Sequence, residues 1–453
     1  ARANYGYKGK YLATASYRRD GTTAFAANHK FGDFFSGALA WRLSDEQFIQ
    51  NLNFFDELKL RLGWGQTGNQ SIGSYTTLDR LEPLNGVLNG SQVPGLVEGY
   101  RPGNPNLLWE TTNQANAGID MTILNNRLNF TLDVYSKKTV DLLTFEQTPP
   151  SSGFNEKTIN SAFVTNKGIE ASLSYKVFQP TSKHQWEISG NISHNQNRIG
   201  GLGSDQYAAN LYYNVREVFL RRDGQPIGVI YGYVTDGFYD NLAEVKADPS
   251  KASLTEASQR ELIGEIKYKN LDDNNTVINE GDRTIIGNTN PRFIYGINNT
   301  FKYGNWNASV FIQGVYGNDI LNANLFDLNI GDIRNGLADA YTYRWTPENP
   351  SAAKYPKAWE TQRSDRRISD RDIEDGSYAR LKNVNIGYTF NKPIKGLDNI
   401  NVYVNASNLW TLTNYSWYDP DVNGLGGNGG RNGVDFNSYP NARTYSIGFK
   451  LSL

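Results

Sequence analysis

The last nine residues, Tyr445-Ser446-Ile447-Gly448-Phe449-Lys450-Leu451-Ser452-Leu453, alternate without a break between apolar odd positions and small or polar even ones. Successive side chains of a β-strand point to opposite faces, so this stretch reads as a strand with one apolar and one polar face. The same period of two returns upstream. Leu58, Leu60, Leu62 and Trp64 alternate with Lys59, Arg61, Gly63 and Gly65, and Ala117, Ile119, Met121 and Ile123 with Gly118, Asp120 and Thr122. Trp186, Ile188 and Ile192 oppose Glu187, Ser189, Asn191 and Ser193, and the runs from Phe293 to Tyr303 and from Trp306 to Gln313 repeat the pattern. With the segments near 9–20, 34–44, 127–138, 165–178, 380–390 and 399–412, about twelve strands are expected. Most exceed the ~5–6 residues usual in soluble sheets and approach the ~9–11 that cross a bilayer at a tilt.

Composition narrows the reading further. At roughly 150 residues per domain, 453 residues would suggest about three soluble domains, a rule that large β-barrels break. The 45 Lys and Arg balance the 46 Asp and Glu, which leaves no basic field for nucleic acid and no acidic tail. Without Cys there is no disulfide framework, thiolate metal site or Cys nucleophile. No run approaches the ~18 consecutive apolar residues of a membrane helix, and no charged-then-apolar leader opens the chain. A barrel strand carries only a weak hydropathy signal, so the 38% hydrophobic content does not argue against a membrane.

The connections fall into two kinds. Asn125-Asn126-Arg127, Tyr303-Gly304-Asn305 and Asn391-Lys392-Pro393 are tight turns, whereas 69–108, 200–290, 317–376 and 413–440 are long, polar and rich in Asn, Gly and Tyr, and are expected to be irregular. Short turns at one end and long loops at the other are the asymmetry of outer-membrane barrels. In hydrocarbon every backbone N–H and C=O must be paired internally, so a sheet persists there only as a closed barrel with its apolar face outward. Tyr11, Tyr17, Trp41, Trp64, Tyr388 and Trp410 lie near strand ends, where interfacial aromatic girdles form. Alternation alone also suits a soluble β-sandwich or β-helix.

Several strings, in order along the chain, resemble the SusC/RagA family of TonB-dependent outer-membrane transporters. They are Asn4-Tyr5-Gly6-Tyr7-Lys8-Gly9-Lys10-Tyr11 with Ala15-Ser16-Tyr17-Arg18-Arg19-Asp20-Gly21-Thr22, then Phe35 to Ser44, then Leu58-Lys59-Leu60-Arg61-Leu62-Gly63-Trp64-Gly65-Gln66-Thr67-Gly68-Asn69-Gln70. Asp282 to Asn288 with Asn290-Pro291, Asp375 to Asn383, and Ser438 to Tyr445 follow. The resemblance implies an all-β fold: residues 1–453 as the C-terminal portion, about 12 strands, of a 22-stranded transmembrane antiparallel barrel. Signal peptide, TonB box, plug domain and first barrel strands would lie outside the sequence. It further implies import of oligosaccharides or oligopeptides across the outer membrane of a Gram-negative cell, a SusD-like surface lipoprotein as lid, the TonB complex as energy source, outer-membrane lipid around the barrel, and no enzymatic activity. The alternative is a complete twelve-stranded outer-membrane barrel serving as passive pore or enzyme. Leu453 stands where such barrels usually end on an aromatic residue.

Candidate sites are few. Asn270, Asp272, Asn274, Thr276 and Asp282 place oxygen ligands at alternate positions of a loop, as Ca²⁺ or Mg²⁺ requires, although Asn275 replaces the turn glycine and the last carboxylate comes one residue late. No cofactor is otherwise required. Tyr415, Trp417 and Tyr418, just before Asp419-Pro420, offer rings that stack on sugars or peptide side chains, or on one another. Gly424-Leu425-Gly426-Gly427-Asn428-Gly429 matches a dinucleotide fingerprint in letters but lacks its strand and helix, and reads as a glycine-rich loop. His29, His184 and His194 have no metal-ligand spacing, and no G-x-S-x-G occurs. Asp272/Asp273 and Asp419/Asp421 lack an apolar wall to split their pKa values for glycosidase chemistry. The alternating charges from Arg363 to Asp372 suggest a hydrogen-bonded loop network.

Overall fold

The computed structural model describes residues 1–99, 101–179, 181–208, 217–272, 276–328, 336–358, 367–392, 396–422 and 432–452. Its dominant element is one antiparallel sheet of thirteen strands hydrogen-bonded in chain order. These are β1 (Arg2–Tyr7), β2 (Tyr11–Gly21), β3 (Phe31–Arg42), β4 (Phe55–Asn69), β5 (Glu110–Ile123), β6 (Leu128–Gln147), β7 (Glu156–Lys176), β8 (His184–Gly200), β9 (Phe293–Tyr303), β10 (Trp306–Tyr316), β11 (Tyr378–Asn391), β12 (Asn399–Thr413) and β13 (Thr444–Ser452). Twelve of them coincide with the alternating segments. The thirteenth, β1, is a six-residue edge strand whose residues are all exposed, too short for periodicity to separate from the turn that follows.

Register keeps the two faces apart across the whole sheet. Leu60 pairs with Ile119 and Leu62 with Ala117 on the apolar face, while Lys59 pairs with Asp120 and Arg61 with Gly118 on the polar one. At the other edge Val402 pairs with Phe449 and Val404 with Ile447, with Asn401 opposite Lys450 and Asn405 opposite Ser446. A slip of one residue would exchange the faces, so the alternating pattern itself locks the pairing. Gly304, at φ 55, opens the two-residue turn between β9 and β10 that a β-branched residue could not adopt without strain.

β1 and β13 are the edges of this sheet and do not pair with each other. The described strands therefore do not form the closed twelve-stranded barrel that the alternative reading required; an odd count would also bring two parallel strands together at the seam. No helix among the described residues is long and apolar enough to cross a membrane, which bears on helices only.

The connections at one end of the sheet (8–10, 43–54, 124–127, 177–183, 304–305, 392–398) are all short, whereas those at the other include 22–30 and 148–155 but also the long 70–109, 201–292, 317–377 and 414–443. The long connections are not irregular throughout, as their polarity suggested. Gln206–Ala208, Phe219–Arg221, Val229–Gly232 and Thr284–Asn288 form a four-stranded sheet, and Ile373–Asp375, Asp319–Asn322 and Val434–Asp435 a three-stranded one. Val218, Phe219, Ile230, Leu321, Ile368 and Val434 close a buried cluster between them, with a second around Phe238, Ile266 and Trp345. Three separate loops supply one to three buried residues each to the first cluster, from short and separated segments, so no single segment shows the periodicity of a core. The hydrophobic interior of the chain thus sits at the loop end, whereas the strands expose their apolar face, with Ile447 80% and Phe449 72% accessible.

Strands β6 and β7 are 20 and 21 residues long. About ten residues suffice to span a bilayer, so at ~3.3 Å per residue this hairpin projects roughly 30 Å further toward the loop end.

Candidate functional site

The polar face carries an ion network built by cross-strand register. The Arg61 guanidinium on β4 donates from Nε to Asp120 Oδ2 at 2.8 Å and from Nη2 to Asp133 Oδ2 at 2.9 Å, with Lys59 Nζ 3.6 Å from Asp120. It lies over Gly118, where any Cβ would meet Asp133 Oδ1 at 2.2 Å and Arg61 Nη2 at 2.6 Å. Alternation placed Lys59, Arg61 and Asp120 on this face; Asp133, two strands from Arg61, was not associated with them in sequence. Beyond β8 the same face turns to amides: Asn383 Nδ2 donates to Asn405 Oδ1 at 3.3 Å, and Asn401 Nδ2 to Asn307 Oδ1 at 3.2 Å and Thr389 Oγ1 at 2.9 Å.

At the loop end Arg380 of β11 is 2% exposed. Its guanidinium donates to Asp419 Oδ1, reaches Asp421 Oδ2 at 3.5 Å and donates from Nε to Thr411 Oγ1 at 3.0 Å. Asp419 also accepts the Asp421 N–H at 2.9 Å and the Asn441 N–H at 2.9 Å. Burial pushes the Asp419 carboxyl up, but the two N–H donors and the guanidinium outweigh it and hold it below the usual carboxylate range. Asp419 therefore anchors the loop to the sheet through Arg380, with Asp421 beside the same guanidinium. Nothing in sequence links Arg380 to carboxylates 39 residues away.

The three aromatic candidates separate. Tyr415 is buried, and its hydroxyl donates to Asp435 Oδ2 at 2.6 Å; burial and then that bond raise its pKa above the ordinary value. Trp417 and Tyr418 meet edge to face at 5.0 Å, and Tyr418 is 74% exposed, so these two rings present a surface while Tyr415 holds the loop.

Of the cation-loop residues, Asn270, Asp272, Thr276 and Asp282 are described and Asn274 lies outside the described residues. Asp282 is fully buried; Oδ1 accepts the N–H of Leu271 at 2.7 Å and of Asp272 at 3.0 Å, and Oδ2 the Asn279 N–H at 2.7 Å. Burial raises its pKa, but those three donors win and leave it lowered. Its carboxylate thus closes the loop as a backbone cap. Among the described residues no group of three or more His, Asp or Glu is spaced to hold a metal ion.

Of the charged run, residues 363–366 lie outside the described residues; in the rest Arg367 donates to the Ile278 carbonyl at 3.1 Å and lies 4.8 Å from the Tyr233 ring, Asp370 accepts from Thr235, and Asp372 caps Ser369. The histidines are dispersed, His184 stacked on Tyr303 at 4.4 Å and His194 Nδ1 2.6 Å from the Arg292 carbonyl oxygen. The glycine run 424–429 lies outside the described residues.

A cavity of about 1100 Å³ opens between the tip of β6 and β7 and the segment 201–208. Phe145, Glu146, Glu156, Asp205, Tyr207 and Glu217 are among its lining residues. Sequence reasoning missed it, because its walls come from segments about 60 residues apart that are brought together only by the projecting hairpin.

A profile of the family described as TonB dependent receptor-like, beta-barrel, matches residues 1–409. TonB-dependent receptor P3 of Formosa agariphila is 34% identical over 99% of this chain and 45% of its own length. TonB-dependent receptor SusC of Bacteroides thetaiotaomicron is 28% identical over 99% of the chain and 43% of its own length. A chain in the structure of the RagAB peptide transporter superposes with a TM-score of 0.79 at 22% identity, covering 99% of this chain and 47% of that one, a likeness of fold. The chain spans a little under half the length of the curated relatives it matches. With the two-faced antiparallel sheet and its one-sided loops, these matches establish that the chain belongs to the TonB-dependent receptor β-barrel family, with SusC among its relatives.

Proposed function

We propose that this chain forms part of the barrel wall and external loops of an outer-membrane active transporter in a Gram-negative cell. Its cargo is an oligosaccharide or oligopeptide, a SusD-like surface lipoprotein covers the loop end, and TonB supplies the energy. The observation that carries the reading is the union of a continuous polar face, bearing the Arg61–Asp120–Asp133 network and the asparagine rows, with an internally packed loop assembly at one end only. The apolar face meets lipid, where each paired strand leaves no backbone group unsatisfied. The reading assigns no covalent chemistry to the chain: Asp419, Asp421 and Asp282 are committed to holding loops. The peptide half of the cargo class is supported by the likeness to a chain of a peptide transporter, the saccharide half by the resemblance to the SusC family.

The test uses the full-length parent protein in its own host. Affinity purification from detergent-solubilised membranes is expected to bring down one surface lipoprotein, and uptake of labelled cargo is expected to stop when TonB is depleted. Cargo entry that persists without TonB would instead indicate a passive pore and refute the reading.

A further inference from the structure

Three cations stand on the apolar face of the sheet. On β6 the residues of that face are Leu128, Phe130, Leu132 and Val134, paired with Tyr175, Leu173, Ala171 and Ile169 of β7, and beyond them the face changes character. Lys138 of β6 and Arg198 of β8 each pair with Thr165 of β7, one on either side, and Lys167 lies two residues along β7 from it. At ~4.8 Å between strands and ~3.3 Å per residue, the three α-carbons fall within about 10 Å of one another. All three residues are exposed, and among the described residues none of them pairs with a carboxylate. Lys138 Nζ lies 4.4 Å from the Phe163 ring centre, and Arg198 Nη1 donates to the Gly224 carbonyl at 3.3 Å. Those contacts hold the two side chains in place and leave N–H donors for a ligand.

The height of the patch fits a membrane border. Leu128 and Lys138 are ten residues apart. That is roughly 33 Å of strand, which at a ~45° tilt rises about 23 Å, against a lipid-facing band ~25 Å tall. A cation on this face is costly at mid-membrane and nearly free at the interface, so the position is tolerated. Three like charges this close repel one another, and a shared anion removes that repulsion. Strands β6 to β8 lie inside the sheet, so strands added at either edge leave the face open. A phosphate monoester brings close to two negative charges and several acceptor oxygens, which suits one guanidinium and two ammonium groups. Because apolar rows continue directly beneath, the anion that fits is the headgroup of a lipid, with its acyl chains lying against Val134 and Ile169.

We propose that Lys138, Lys167 and Arg198 bind the phosphate of a phosphorylated glycolipid in the outer leaflet. This rests on the part of the importer reading that puts the long loops outside the cell. The full-length protein, purified from its host in mild detergent, is titrated with a phosphorylated glycolipid, with the same lipid after phosphatase treatment, and with inorganic phosphate. The phosphorylated lipid is expected to bind about tenfold or more tightly than its dephosphorylated form. In Lys138→Gln/Lys167→Gln/Arg198→Gln that preference is expected to fall below about threefold, while Lys137→Gln, on the polar face opposite Gln114 and Asn166, keeps it. Equal affinity of the wild type for the two lipids overturns the site, a result that needs no variant to fold. Displacement of the lipid by equimolar inorganic phosphate makes it a site for a free anion and overturns the lipid assignment. A triple variant that loses a dimer in native mass spectrometry and keeps its lipid preference assigns the patch to a second copy and overturns it too. Orientation is read separately, by labelling Ser151→Cys at the exposed β6–β7 tip with a membrane-impermeant maleimide in intact cells, the unsubstituted protein serving as blank. Absence of label overturns the outer-leaflet assignment together with the importer reading, whereas labelling without a phosphate preference overturns the lipid site alone.

Discussion

Replacing Arg380 with Met keeps the length of the side chain and removes its charge from a site that is 2% exposed. Asp419, with 9% of its side chain accessible, would keep its bonds from the Asp421 and Asn441 N–H groups but lose its counter-ion. Removing one member of a buried pair typically costs about 3–5 kcal/mol, because the charge left behind is neither solvated nor matched. The cost falls on the attachment of 414–443 to the sheet rather than on the strand ladder. Hydrogen exchange in that segment should therefore accelerate between about a hundredfold and a few thousandfold, at 1.4 kcal/mol per factor of ten. Amides of β11 and β12 away from the loop should change little. In Arg380→Met/Asp419→Asn, where no charge is stranded, most of the protection should return. The pH dependence has a definite sign. Asp419 has its pKa lowered in the fold, so its contribution is complete above the unfolded value of ~3.9 and disappears as pH falls through the lower folded value. Wild-type exchange in 414–443 should rise steeply below pH ~4, and the double variant should lack that step. Unchanged exchange in Arg380→Met at neutral pH would refute the anchoring role.

Three further outcomes follow from the same contacts. Gly448→Ala would drive a Cβ to 2.5 Å from the Tyr403 ring across the β12–β13 pair, so a cost of ~1–3 kcal/mol is expected in denaturant titration of the folded barrel, and Gly448→Ala/Tyr403→Ser should regain part of it; equal stability of all three proteins would exclude the clash. Asp282→Ala strands three backbone N–H groups at ~1–3 kcal/mol each, so exchange at 271–282 should rise by at least about tenfold, with Asp282→Asn intermediate; a silent Asp282→Ala would show that the carboxylate does not close the loop. Glu46, in the turn after β3, accepts from the Tyr11 hydroxyl at 2.7 Å, Lys10 Nζ at 3.1 Å and Trp41 Nε1 at 3.2 Å, which hold its carboxyl down to about 2. In an isotope-labelled sample its titration should be displaced further toward normal by Tyr11→Phe than by Lys10→Ala, and a wild-type midpoint above ~4 would contradict the geometry.

The two-faced sheet was legible in the chain because β-structure writes itself locally. A strand needs only a period of two, and Leu58 to Trp64 or Tyr445 to Leu451 display it within a handful of residues. The same local signal sorted polar from apolar faces, located the turns, and separated the tight connections from the long ones. The family strings, also contiguous, led to the assignment that the matches now support. What stayed hidden is non-local. Val218, Leu321, Ile368 and Val434 share one cluster though they come from three loops, and no periodicity marks residues drawn from short segments so far apart in the chain. Arg380 with Asp419, Arg61 with Asp133, and Phe145 with Tyr207 across the cavity are pairings set by strand register and loop packing. The aromatic triplet illustrates the limit within four residues: Tyr415, Trp417 and Tyr418 look alike in sequence, yet one is buried on Asp435 and another is 74% exposed. Side-chain direction in a loop follows from where its neighbours in space find hydrogen-bond partners, and those neighbours are far away in the chain.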